Sequence, residues 1–117
     1  MRKELEQRLI SLSVNIEKVC RNLIKGYMSE HLAKQIIRSS TSAALNYGEA
    51  QAAESKNDFI HKISVVLKEL RETQISLKLL SGSVNEDQER SLFDCQKECD
   101  ELIAIFHKTV MTAKANG

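Results

Sequence analysis

Proline is absent from this chain and glycine occurs only four times in 117 residues, so very little in it interrupts a helix. Tryptophan is also absent, and two Tyr and three Phe are all the aromatic residues it has. With several of these five in apolar seams, the sequence argues against a base-stacking platform. Neither charge sign dominates, because 17 Lys and Arg against 16 Asp and Glu leave a formal net charge of +1. The obvious basic excess of most nucleic-acid binders is missing. The longest uninterrupted apolar run, Leu102 to Phe106, falls far short of the roughly 18 residues that a membrane span needs. The N-terminus, Met1-Arg2-Lys3-Glu4-Leu5-Glu6, alternates charged with apolar residues and has no continuous apolar segment of the kind a signal peptide carries. The expectation is a cytoplasmic protein, mature from Met1, with no membrane partner. Its three cysteines, Cys20, Cys95 and Cys99, cannot all pair within one chain, and their spacing follows helix faces, which fits free thiols in a reducing compartment.

What is present is helical periodicity. Leu5, Leu9, Leu12, Ile16, Val19 and Leu23 recur at spacings of four and three, the seam of an amphipathic helix. Gly26 is a candidate C-terminal cap for it, and Ser29 a candidate N-cap for the next helix. The second seam runs Leu32, Ile36, Ser39, Ala43, Asn46, Ala50 and shrinks in size along its length. Ser55 with Asp58 resembles a capping box, opening a third helix whose seam is Phe59, Ile63, Val66, Leu70, Thr73, Leu77 and Leu80. Gly82 ends it. Asn85 with Gln88 starts a fourth, carrying Leu92, Cys95, Cys99, Leu102, Phe106 and Val110, and the tail from Ala113 is expected to fray. The fold class is therefore all-α: a single domain over 1–117 with helices about 3–25, 30–53, 56–81 and 86–114. Short connections between helices of similar length give an antiparallel up-down-up-down four-helix bundle.

The second helix is unusual. From Ser39 to Ala50 most positions are Ser, Ala or Gly, so its backbone can come close to its neighbours, and Gly48 in its interior suggests that something packs very near. Asn46 and Glu49 lie three apart on one side. With Arg38, Glu69, Glu72 and Thr73 they form a candidate polar cluster between helices two and three. As an active site, its carboxylates would supply acid and base if their environments separate their pKa values. The favoured reading is a structural network that fixes register in an otherwise apolar bundle, with no catalytic residues.

Arg38-Ser39, Ser42, Asn46 and Glu49, followed by Glu54-Ser55-Lys56, Asp58-Phe59-Ile60 and Lys68 to Thr73, resemble the pattern of the four-helix-bundle proteins encoded in intervening sequences of bacterial 23S ribosomal RNA genes. The likeness spans essentially the whole chain. It departs from the pattern at Gly48, where many members carry Ala, and at Ala50, where they carry Gly. The resemblance implies a left-handed antiparallel bundle assembled as a ring-like homopentamer. A related protein, the accessory variability protein of diversity-generating retroelements, shares that architecture and binds nucleic acid and a reverse transcriptase through a strongly basic surface. That excess is absent here, so binding of RNA or a ribonucleoprotein is an expectation from the resemblance alone.

Other chemistries have weaker support. A di-metal bundle site needs a Glu-x-x-His pair on each of two helices, and none of His31, His61 and His107 follows a Glu by three positions. No metal or other cofactor is expected. Cys95 and Cys99 share a helix face and could contribute to a soft-metal site, but no partner ligands accompany them and both fall in the apolar seam, where Cys behaves as a small hydrophobe. For nucleic acid, Arg8, Lys18, Arg21 and Lys25 on helix one are candidate contacts. Lys18, Arg21 and Lys25 follow spacings of three and four, although a solvated helix face accounts for the same pattern. Repeated around a ring, such a strip gains from multivalency. The functional expectation is a non-enzymatic homo-oligomer, most simply a pentamer, that binds RNA or a ribonucleoprotein; a protein-interaction scaffold with no nucleic-acid role is the alternative.

Overall fold

Leu9, Leu12, Ile16 and Val19 are almost completely buried, as their spacing requires, on a helix α1 spanning Arg2–Cys20. The computed structural model describes residues 2–116, with the side chain of Arg2 left out. Three further helices follow: α2 (Tyr27–Gln51), α3 (Lys56–Leu79) and α4 (Glu89–Ala115). The described residues include no strand. Met1 and Gly117, the two ends of the expected domain, lie outside them.

The helix boundaries depart from the sequence expectation between α1 and α2. α1 stops at Cys20, before the expected residue 25, because the Ile24 N–H donates to the Ser83 carbonyl at 2.8 Å and not to a carbonyl one turn back. This bond ties the α1–α2 connection to the turn after α3. Gly26 is therefore no C-cap of α1. It is the extended N-cap residue of α2, with φ at 171°, and Ser29 sits inside the first turn, donating its buried hydroxyl back to the Gly26 carbonyl at 3.0 Å. Ser55 does cap α3, accepting from the Asp58 N–H at 3.0 Å. After Leu79 the chain tightens into a 3-10 turn, Leu80–Ser83, that contains Gly82, and a second, Glu86–Gln88, precedes α4. Asn85 makes no side-chain cap bond there, so the expected capping box with Gln88 does not form.

The main core draws on all four helices and closes on Phe106, Leu70, Leu77 and Leu102, all at 0% exposure. A smaller apolar group of Ala50, Ile63 and Val110 lies beside it. In the second seam, Tyr47 takes the buried place that the sequence assigned to Asn46. Its ring packs edge-on to Phe106, with centroids 5.4 Å apart and planes at 82°. A tyrosine ring has far more apolar area to bury than an amide, and Ser39, Ser40 and Ala43 are buried on the same helix, where their small side chains leave room. Cys95 and Cys99 are core residues, and the Cys99 thiol reaches the Leu70 carbonyl at 3.4 Å. The close approach expected at Gly48 is absent, since a Cβ there would meet nothing within 4 Å.

Cross-helix contacts record the pairing. On α2 and α3, Arg38 meets Glu69 and Glu72, Ser39 meets Thr73, and Glu49 meets Lys62. On α3 and α4, Leu70 meets Cys99, Gln74 meets Asp100, and Leu77 meets Gln96. On α1 and α4, Arg8 meets Glu98 and Glu101. Among the described residues no helix is long and apolar enough to cross a membrane.

Candidate functional site

Between α2 and α3 the residues of the sequence-derived cluster are linked, except for Glu49. Arg38 bridges two carboxylates, donating to Glu69 at 2.9 Å and to Glu72. Glu69 and Glu72 are three apart on α3, so both can face the same guanidinium. The Arg38 side chain is 50% exposed and that of Glu69 only 8%. Burial works to raise the Glu69 pKa, but hydrogen bonds from Ser42 and Arg38 and the Arg38 charge outweigh it and hold the carboxyl below its ordinary value. Glu69 therefore sits as a buried, paired carboxylate. Thr73, fully buried, donates to the Glu69 carbonyl at 2.8 Å. The Ser39 hydroxyl lies 2.8 Å from that of Thr73 and also reaches the Ile36 carbonyl at 3.3 Å.

Glu49 stands apart from this group, whereas Asn46 reaches it through Ser42, whose hydroxyl also bonds to Glu69. Asn46 donates back along its own helix to the Ser42 carbonyl and hydroxyl, at 2.9 and 3.1 Å. Glu49 accepts from Lys62 at 2.6 Å. Ser39 joins the network although the sequence reading gave it only a place in the seam. Its spacing of one turn from Ile36 and Ala43 made it look purely like packing.

The helix-one strip is divided. Arg8 is held by Glu98 through two bonds at 2.7 and 2.8 Å and by Glu101 at 3.1 Å, and the Glu98 bond is the largest influence raising its pKa. Arg21 pairs with Glu17 at 2.7 Å. Lys18 and Lys25 are exposed, with Lys25 in the connection beyond the end of α1. The two arginines are thus already neutralised by carboxylates of their own chain.

A different surface keeps its cations. The outer face of α2 and α3 holds a shallow, open depression lined by His31, Gln35, Leu67, Lys68, Arg71, Ile75 and Leu79, among others. Its single carboxylate, Glu72, is occupied by Arg38. Lys68, Arg71 and the neighbouring Lys34 are exposed and form no salt bridge among the described residues. At its end α2 begins with Tyr27, 96% exposed. Lys34, Lys68, Arg71 and Tyr27 were not candidates in the sequence. Lys68 and Arg71 alternate with Glu69 and Glu72 along the chain, and only the tertiary pairing with Arg38 removes those carboxylates from the balance.

The thiols are poor nucleophiles at neutral pH, since burial pushes Cys20 and Cys95 up to about 11 and Cys99 to about 12. His31, His61 and His107 are exposed. Among the described residues, no group of three or more His, Cys, Asp or Glu could hold a metal ion.

No curated protein matches the chain. A solved structure of a protein of unknown function from the S23 ribosomal protein family of Bacteroides thetaiotaomicron is similar to it, with 27% identity and a TM-score of 0.77. That likeness covers 95% of this chain and 99% of the other. The sequence pattern of the 23S rRNA-intervening sequence proteins matches residues 3–108, from the first turn of α1 well into α4, and the chain belongs to that family.

Proposed function

We propose that this protein is a non-enzymatic, cytoplasmic homo-oligomer that binds RNA, alone or within a ribonucleoprotein. Its subunit is a left-handed antiparallel four-helix bundle, and five subunits close a ring. The antiparallel order is supported by the ends of the α2–α3 contact, where Arg38 meets Glu69 and Glu72 while Glu49 meets Lys62. The link to RNA is supported by the family's description, and the observation that carries it is the pair of cations free of salt bridges, Lys68 and Arg71, in the depression on the α2–α3 face. Phosphate binding draws on cations that are free to exchange small counterions for the backbone. Arg8 and Arg21 have already made that exchange with glutamates.

Assembly is supported by the middle of α2. No charged residue occurs over residues 39–48, although half of that helix points away from its own core. Thr41 and Leu45 are exposed there, Leu45 by 68%, at a spacing that puts them on one stripe. An uncharged outward stripe of this kind fits a neighbouring subunit better than water.

The test is light scattering after size exclusion, with a 260/280 nm absorbance ratio, on protein purified at low salt. Trp is absent, so retained RNA would dominate the absorbance. The expected result is a mass near five times the 13.2 kDa chain, with a high ratio that falls as salt rises. An assembled protein that retains no RNA would instead be a protein-interaction scaffold, the reading that the net charge of +1 favours.

A further inference from the structure

Tyr27 is the first residue of α2, and 96% of it is exposed. The other tyrosine, Tyr47, is buried against Phe106. A phenol left in water at the start of a rigid helix makes no contribution to this core. One turn further on stands His31, the i+4 neighbour of Tyr27, which lines the depression together with Lys68, Arg71, Ile75 and Leu79. The face therefore presents, in order, a free ring, an imidazole, two aliphatic side chains and two unpaired cations. At 1.5 Å per residue, the four-residue step from Tyr27 to His31 covers about 6 Å along the helix.

We propose that this α2–α3 face takes single-stranded RNA, with one base stacked on Tyr27 and the adjoining phosphates held by Lys68 and Arg71. The inference rests on the RNA-binding reading above and adds the form of RNA and the place where it lies. Two features select an unpaired strand. A base offers its flat face to a ring only when it is out of a duplex, and stacking of this kind is tolerant of sequence because every base has such a face. The two cations, one turn apart on α3 in the same depression, suit a backbone that runs along the helix. An A-form duplex would engage the cations but leave Tyr27 without a base to stack on.

The experiment uses the full-length protein at low salt and an oligouridylate of about 12 nucleotides, within the usual range of single-strand sites. A duplex of the same length is the comparison. Anisotropy of an end-labelled strand should show tighter binding of the single strand. Tyr27→Leu should weaken it about tenfold, while Tyr27→Phe, which keeps the ring, stays within about twofold. Since Tyr27 and Tyr47 are the two intrinsic fluorophores of note, unlabelled oligouridylate should quench the exposed tyrosine. The quench should vanish in Tyr27→Phe, which also corrects for absorption by the RNA. Undiminished binding by Tyr27→Leu, equal or tighter binding of the duplex, or binding without the quench would overturn the inference and leave RNA binding itself standing. Absence of binding to either RNA at low salt would overturn both.

Discussion

Arg38 and Glu69 form the pair with the largest contrast in environment, one guanidinium half in water and one carboxylate nearly out of it. Removing the carboxylate charge leaves Arg38 its bond to Glu72 and access to solvent, so the loss is smaller than for a fully buried pair. Glu69→Gln should cost about 1–2 kcal/mol at neutral pH. The pH dependence follows from the direction of the shift. Glu69 has a folded pKa below its unfolded value, so its contribution is present above the unfolded value, about 4.3, and is lost as the pH falls through the folded one. Urea midpoints measured at pH 7 and pH 3 should differ less in Glu69→Gln than in the unmodified protein. An equal difference in both would mean that the Arg38 pair contributes nothing to acid sensitivity. In the structure Arg38 meets Glu69 and Glu72, and Thr73 donates to the Glu69 carbonyl. Asn46 reaches Glu69 through Ser42, whereas Glu49 pairs across to Lys62; spacing identifies a shared face but not which of several reachable partners a side chain takes.

Helix ends followed local chemistry where the cap is local and missed it where a distant group intervenes. Ser55 caps α3 through the neighbouring Asp58 N–H, a contact contained within four residues and therefore readable in sequence. Ser55→Ala should cost about 1 kcal/mol, which for a chain of this size lowers the melting temperature by about 3–6 °C. Thermal unfolding followed by circular dichroism measures it, and an unchanged midpoint would show that the hydroxyl is replaced by water at no loss. The end of α1 depends instead on Ser83, far along the chain in the connection between α3 and α4, and no local rule contains it. The second helix illustrates both cases. Its small residues were legible as a packing device, and Ser39, Ser40 and Ala43 are indeed buried. Gly48 is not part of that device, because it lies on the open side with no atom of the subunit near its missing Cβ.

At the scale of the whole molecule, the uncharged outward stripe of α2 is the feature to perturb. Leu45→Lys places a charge where Leu45 stands 68% exposed, so the isolated subunit should keep its helix content and stability within about 0.5 kcal/mol. Within an assembly the same lysine would be buried without a partner, and the mass by light scattering should fall to that of one chain. Retention of the assembled mass would place the subunit contact elsewhere, with the exposed pairs Ile10 and Val14 or Ile75 and Leu79 the next to test. RNA retention provides a separate reading at this scale. Each phosphate contact on a single strand contributes about 0.7 to the slope of log affinity against log salt, so Lys68→Gln should reduce that slope, whereas a lysine outside the interface should leave it unchanged.

By itself the sequence determined the all-α class, the four helices and most of the inward faces, because these depend on periodicity and on the absence of proline, both of which act within a turn or two of chain. It also carried the family likeness, through residues spread from α2 to α3. Only the tertiary structure decided which charges remain available. Arg8 reads as a free cation until Glu98 and Glu101 are seen to hold it, while Lys68 and Arg71 read as members of a mixed-charge helix until Arg38 takes up Glu69 and Glu72. Electrostatic character at a surface is a sum over neighbours within a few ångströms, and across helices those neighbours lie up to 93 residues apart in the chain.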